Sequence, residues 1–409
     1  MKNFSATARQ QRGREKYFNK LDSQMKLPHR SLQSLGLDHK EFLPVRAHAT
    51  KIILKAAKFV VFLSSYIDNK LLRQCSGFLI EWDENSKDAV VLTSTHLICC
   101  EDSLNEWSGE HKYAPDAEVY IQLADDRIKA QLLYYHKHYG FALIRVTMGR
   151  PAELAHFGNE VNLAQLLYVL GRDENFNIQL SNGRVQYEGL TIYEYHHHIH
   201  IEAVVHELHA FIDSRLIVRI LHFDIDHTNV VVHTWRASHR NGNVMGMASL
   251  SANMGFIPSP VLLKCLHLWR VHGCIPRIQL GMKFSPIIFQ NLIYIEKISR
   301  ECNTERGLIV EEVARGSVVE KLDMRNGDII LSVNGECVST TVELELMLLR
   351  ICEDNLVRGN GLGSNVDIPV DVFYRNRGRK CNPDRMRLTT IMSDDVEIIE
   401  EAYVDLTLE

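Results

Sequence analysis

The sequence predicts a mainly β chain of two domains, and three observations carry that reading. Short apolar runs recur roughly every ten residues between Phe59 and Ile257, turn-forming residues stand between them, and a second block of strands and helices follows Pro276. The runs are F-V-V-F-L, S-G-F-L-I-E-W, A-V-V-L-T, A-E-V-Y-I-Q-L, K-A-Q-L-L-Y-Y, F-A-L-I-R-V and L-L-Y-V-L, with turn signals at Asp83-Glu84-Asn85 and Ser181-Asn182-Gly183. Spacing this close leaves no room for crossover helices, so the first domain reads as a β-barrel or sandwich. Behind Pro258, P-S-P-V-L-L-K-C-L-H-L-W predicts one helix with Val261, Leu262, Cys265, Leu266 and Trp269 on a common face. That helix closes the first domain.

In the second block, G-L-I-V-E-E-V is a strand, S-V-V-E-K-L a short helix, D-I-I-L-S-V a strand ending in a hairpin turn at Asn334-Gly335, and T-V-E-L-E-L-M-L a helix. Gly359, Gly361 and Gly363 mark a loop, and V-D-I-P-V-D-V-F-Y and M-R-L-T-T-I-M supply closing strands. Residues 1–50 are expected to be a basic mobile arm, with Lys2, Arg9, Arg12, Arg14, Lys16 and Lys20 in it, and 396–409 an acidic tail. The first domain is assigned to 51–275 and the second to 276–395.

Of 409 residues, 45% are hydrophobic and 24% charged, as in soluble globular proteins, and a net charge of −5 gives no reason to expect nucleic acid or a membrane as a partner. The most apolar stretch, K-I-I-L-K-A-A-K-F-V-V-F-L, is interrupted by Lys51, Lys55 and Lys58. Nine cysteines at irregular spacing do not form a disulfide framework. A reducing interior compartment is expected, cytoplasmic or nuclear, with an organelle as the alternative.

Within these elements, S-G-F-L-I with V-L-T-S-T-H, Y-G-F-A-L-I-R-V and N-G-N-V-M-G-M-A resembles the trypsin-like core of HtrA/Deg serine proteases. R-G-L-I-V-E-E-V followed by N-G-D-I-I-L-S-V-N-G is similar to the PDZ domain that such proteases carry next. W-S-G-E-H-K-Y-A-P-D-A-E-V and G-S-N-V-D-I-P-V resemble plant Deg-like proteins. The resemblance implies a chymotrypsin-like double β-barrel followed by a C-terminal PDZ domain. It places the catalytic histidine at His96, the aspartate position at Gly140, and the glycine-flanked nucleophile, counted back without gaps, at His233-Thr234-Trp235-Arg236. Gly140 has no carboxylate and no serine stands at the nucleophile position, so His96 is vestigial in this reading. Ser238 beside His239 is a sequence neighbour, not a nucleophile–base pair.

Ten of the twenty histidines lie between Tyr195 and His239. If 196–203 form a strand, His196, His198, His200 and Glu202 share one face, a set that suits zinc. His206-Glu207-Leu208-His209 has its histidines three apart, where a zincin helix needs four. The preferred expectation is no metal and no cofactor, with 206–239 lying outside the second barrel as an added element. The PDZ resemblance makes Arg306, Gly307, Leu308, Ile309 and Val310 the peptide-binding loop and strand. The expected function is a non-catalytic HtrA/Deg-like homologue that binds polypeptide C-termini or unfolded segments. The alternatives are an active endopeptidase of that type and a metal-binding protein.

Overall fold

The computed structural model describes residues 43–101, 112–123, 126–186, 195–203, 229–233, 243–248, 255–375 and 383–394. The chain separates into two compact units, residues 1–46 and 47–409, and the domains below belong to the second. A helix spans Leu43–Ala56, so the end of the segment read as a mobile arm is helical; residues 1–42 lie outside the described residues. Among the described residues no helix is long and apolar enough to cross a membrane.

The first barrel is closed in the order β1-β2-β3-β8-β7-β6. Its strands are β1 (Val60–Ile67), β2 (Lys70–Trp82), β3 (Asp88–Ser94), β6 (Glu118–Leu123), β7 (Asp126–His136) and β8 (Phe141–Thr147). A two-stranded ribbon, β4 (Cys99–Glu101) with β5 (Lys112–Tyr113), stands beside it. In β6 buried and half-buried residues alternate, the period-2 pattern of a strand with one face inward. Its neighbour β1 is buried over six consecutive positions because both of its faces are covered. The β1–β2 turn uses Asp68 and Asn69 at φ 48° and 62°, the left-handed pair that a tight hairpin requires.

The second barrel is closed in the order β10-β11-β14-β13-β12-β9. Its strands are β9 (Leu166–Arg172), β10 (Ile178–Gln186), β11 (Ile199–Ala203), β12 (Asn229–His233), β13 (Val244–Ala248) and β14 (Gly255–Pro258). Two closed six-stranded barrels in sequence are the double-barrel architecture expected above. The expectation that 206–239 stands outside the barrel is corrected for its described part. Asn229–His233 is a barrel strand, paired with β9 on one side and β13 on the other. The V-V-V run within it has the β-branched composition that fits a sheet interior; the rest of 206–239 lies outside the described residues.

Arg172 joins the barrels. It is 9% exposed, and its guanidinium donates to the carbonyls of Val60 at 2.7 Å, Ala57 at 2.5 Å and Phe176 at 2.7 Å. Its backbone N–H donates to Ser76 Oγ on β2 at 2.8 Å.

After β14 the predicted helix runs Ser259–His272 and ends at Gly273, φ 73°, whose N–H bonds Trp269 O. Val261, Leu262, Cys265 and Leu266 are buried as expected, and Leu268 joins them while Trp269 is only half-buried. The C-terminal sheet follows in the order β15-β21-β20-β18-β17-β16, with β19 paired to β18. Its strands are β15 (Arg277–Ile278), β16 (Met282–Pro286), β17 (Leu308–Val313), β18 (Ile329–Val333), β19 (Glu336–Cys337), β20 (Asn365–Phe373) and β21 (Asp384–Ser393). The long helix Thr341–Val357 begins with a reciprocal capping box between Thr340 and Glu343, and its inner face joins the domain core. It also packs against helix Ser259–His272, where Lys264 and His267 both pair with Glu353. Helix Leu292–Cys302 was not foreseen; Leu292 and Ile293 at its start are 83% and 82% exposed, while Tyr294, Ile295, Ile298 and Cys302 share the face that packs inward.

Candidate functional site

β3 delivers His96. The strand ends at Ser94, whose hydroxyl accepts the His96 N–H at 3.1 Å and starts a short 3₁₀ turn, Thr95–Ile98. Leu97 and Ile98 are fully buried and anchor that turn, and Ser65 Oγ donates to Leu97 O at 2.5 Å. His96 itself is half-buried. The turn before β8 lies against it, since Thr95 N–H donates to Gly140 O at 3.0 Å. The structure therefore brings together the two positions that the resemblance paired, His96 and Gly140. Gly140 has φ +61°, and a Cβ built there meets nothing within 4 Å. Space for a side chain exists beside the histidine turn, and glycine offers no carboxylate to fill it. At the nucleophile position, His233 is the last residue of β12 and sits in strand, paired with Leu167, rather than in a turn. Thr234, Trp235, Arg236, Ser238 and His239 lie outside the described residues, as do His206–His209.

A second constellation forms where β7 meets the segment before β11. His136 ends β7; its Nε2–H donates to Ile275 O at 3.0 Å and its Nδ1 accepts Tyr139 N–H at 3.3 Å. Those two bonds fix the neutral Nε2–H tautomer. Burial lowers its pKa from the ordinary 6.5 to about 3, with Arg277 adding to the effect of burial. His138 and Tyr139 follow in the turn, and residues 195–198 form another turn against them. Ring centroids lie 4.9 Å apart for His138–His197, His138–Tyr195 and Tyr139–His197. From the long C-terminal helix Glu345, 3% exposed, accepts the Tyr139 hydroxyl at 2.5 Å through Oε1. Burial holds both His138 and His197 well below the usual imidazole range, and neighbouring Arg277 and histidines push the same way. His196 is likewise lowered to about 3, by burial first and Arg277 second, and its ring lies 5.1 Å from that of Phe284 on β16.

This corrects the alternating-face expectation for 196–203. The strand starts only at Ile199, and His196 and His197 are both buried, 3% and 0% exposed, because a turn points consecutive side chains inward where a strand would alternate them. The side chain of Glu202 lies outside the described residues. Sequence reading missed His136, His138, Tyr139 and Glu345; the dense H-K-H-Y stretch was the available signal for the first three.

The peptide-binding assignment to Arg306–Val310 is also corrected. Leu308, Ile309 and Val310 are 0%, 3% and 0% exposed, and β17 is bonded on both sides. It pairs with β16 through Pro286↔Leu308, Ser285↔Ile309 and Phe284↔Val310, and with β18 through Leu308↔Ile330 and Ile309↔Ile329. No edge is left there for an added strand. The sheet ends at β16, whose ladder partner among the described residues is β17 alone. Gly281, φ +69°, precedes it, and the long helix runs beside it.

Among solved structures, the chain is similar to the serine endoprotease of Yersinia pestis at 13% identity, with a TM-score of 0.43, covering 84% of this chain and 97% of that one. It is also similar to the HtrA-type protease AlgW with tripeptide at 15% identity, with a TM-score of 0.46, covering 84% and 96%. A search of the curated proteins finds no match. Residues 75–209, which hold His96, Gly140 and the turn at His197, match the family model of the trypsin-like peptidase domain.

Proposed function

We propose that this chain is a non-catalytic homologue of HtrA/Deg-type serine proteases that binds polypeptide segments through a C-terminal PDZ domain. The observation that carries the first half is Gly140. It lies against the His96 turn with room for a side chain and no carboxylate to orient the imidazole. In serine triads, loss of that orientation lowers the rate by about 10⁴. A missing glycine-flanked serine removes the nucleophile as well, together with the tight turn that aims amides at an oxyanion, a further ~10²–10³.

The binding half rests on β16. An extended segment can add to Met282–Pro286 as a further strand, with main-chain hydrogen bonds giving affinity and the adjacent long helix flanking its side chains. Polypeptide C-termini and unfolded segments share that requirement for an extended backbone.

The test uses the full-length chain. It should take up no fluorophosphonate probe and leave casein intact, while fluorescence anisotropy should show saturable binding of unfolded casein-derived peptides. Labelling that disappears in His96→Ala would establish an active endopeptidase instead. Absence of any peptide binding would remove the second half alone.

A further inference from the structure

We propose that His138, His197 and Glu345 form a binding site for a divalent transition-metal ion of the zinc class, placed between the double barrel and the C-terminal domain. One donor atom from each of the three residues lies within 4.8 Å of the others, and all three side chains are buried. A tetrahedral zinc with bonds of about 2.0–2.1 Å sets its ligands about 3.3 Å apart, so rotations that move each donor by roughly an ångström close the set. Two imidazoles with one carboxylate and an open fourth position are an ordinary zinc donor set.

A second observation points the same way. Nε2 of His138 and both ring nitrogens of His197 have no hydrogen-bond partner among the described residues, although these side chains are 2% and 0% exposed. Leaving a buried polar atom unpartnered costs about 1–3 kcal/mol, and folded proteins rarely carry several together. A metal ion would use those lone pairs. Burial already keeps both rings neutral, the form that ligates. Tyr139 Oη, hydrogen-bonded to Glu345 Oε1, orients the carboxylate in the manner of an outer-sphere partner.

Arg277, 3% exposed, opposes the site, because its positive charge depresses both imidazoles and repels an incoming cation. Glu345 is the carboxylate that offsets it, which makes Glu345 the ligand whose loss should matter most. The ligands come from the β7–β8 turn, the turn before β11 and the C-terminal helix, so binding would pin that helix to both barrels. Among the described residues, His196, His198 and His200 do not form such a donor group.

The experiment strips the full-length protein with chelator, adds zinc alone, and measures bound metal after gel filtration. One zinc per chain should remain, and zinc should raise Tm in a concentration-dependent way, as any ligand of the folded state does. Cobalt(II) in its place should give visible ligand-field bands without the near-ultraviolet thiolate charge transfer that cysteine ligation would produce. Glu345→Gln and His197→Gln should abolish retention, and His200→Ala should not. Tyr139→Phe, which keeps all three ligands, should weaken zinc by roughly 10–100-fold. Should the ligand variants fail to fold, the wild-type cobalt spectrum and zinc-dependent Tm still decide the matter. No retained zinc with no change in Tm, thiolate charge transfer, or retention unaltered in folded Glu345→Gln would each overturn the proposal.

Discussion

The first barrel takes its six strands from residues 60 to 147, whereas the second draws on Leu166 to Pro258 and packs Val342 of the C-terminal helix against its own apolar cluster. Within the first, Leu63, Phe78, Leu92, Ile121 and Leu143 are fully buried at the centre. Where the barrels meet the C-terminal domain, the buried side chains include His138 and Tyr139 from the β7–β8 turn of the first barrel, His196 and His197 from the turn before β11 of the second, and Glu345. The contrast separates two ways of excluding water. The barrel interiors are closed largely by apolar packing, and the join to the C-terminal domain is finished by polar groups drawn from both barrels and from the helix Thr341–Val357.

Glycine substitutions should sharpen this contrast most. A Cβ at Gly246 in the second barrel would sit 2.2 Å from the carbonyl oxygen of Ile257, a backbone atom that moves only if β13 and β14 part. At Gly77 in the first barrel the nearest atoms belong to the side chains of Val91 and Leu63, at 2.8 and 2.9 Å, with Leu92 O also at 2.9 Å. We expect Gly246→Ala to cost about 3 kcal/mol or more and Gly77→Ala about 1–3 kcal/mol in urea unfolding. Equal midpoints for the two variants would break the comparison.

Acid comes next. His136 and His196 have folded pKa values near 3, below the ordinary 6.5 that the unfolded chain recovers. Below pH 6.5 the unfolded state therefore binds protons that the folded state refuses. Stability should be full above that pH and fall toward pH 3, by about 1.4 kcal/mol per pH unit for each such group. Thermal unfolding across this window is the check, and His136→Gln should flatten the slope by about that amount.

Gly140→Asp should have a smaller effect. The pocket has room, and aspartate tolerates the left-handed φ of +61° at a cost of about 1 kcal/mol. The variant should fold and still take up no fluorophosphonate, since restoring an acid does not restore a nucleophile; labelling in Gly140→Asp would reveal a working hydroxyl near His96. Smallest of all, Arg270 Nε donates to Glu81 at 2.6 Å at the surface, 45% and 38% exposed, so Arg270→Ala should change stability by less than about 1 kcal/mol.

How much of this was legible in the sequence depended on the distance to the deciding partner. The runs V-V-F-L and A-V-V-L-T became β1 and β3, and Asn334-Gly335 became a turn with φ 53° and 83°, because alternation and turn chemistry are local. His96 was placed correctly at a strand end for the same reason. Leu308–Val310 was misread as an open edge: an apolar strand looks alike at an edge and in the interior, and only pairing with β16 distinguishes them. V-V-V at 230–232 was overlooked inside a histidine-rich stretch although its branching favours strand. The cluster of His138, His197 and Glu345 spans more than two hundred residues of chain, and no spacing rule reaches across such a gap.

Arg172 gives the molecule a seam of a different chemical kind. The guanidinium between the barrels is solvated by the neutral carbonyls of Ala57, Val60 and Phe176, and none of those acceptors gains or loses a proton in mild acid. Arginine keeps its charge throughout that range. The join between the barrels is therefore blind to acidity, while the join to the C-terminal domain, lined by His138, His196 and His197, is not. Acidification should accordingly detach one domain from an intact pair of barrels, a graded disassembly from the C-terminal end.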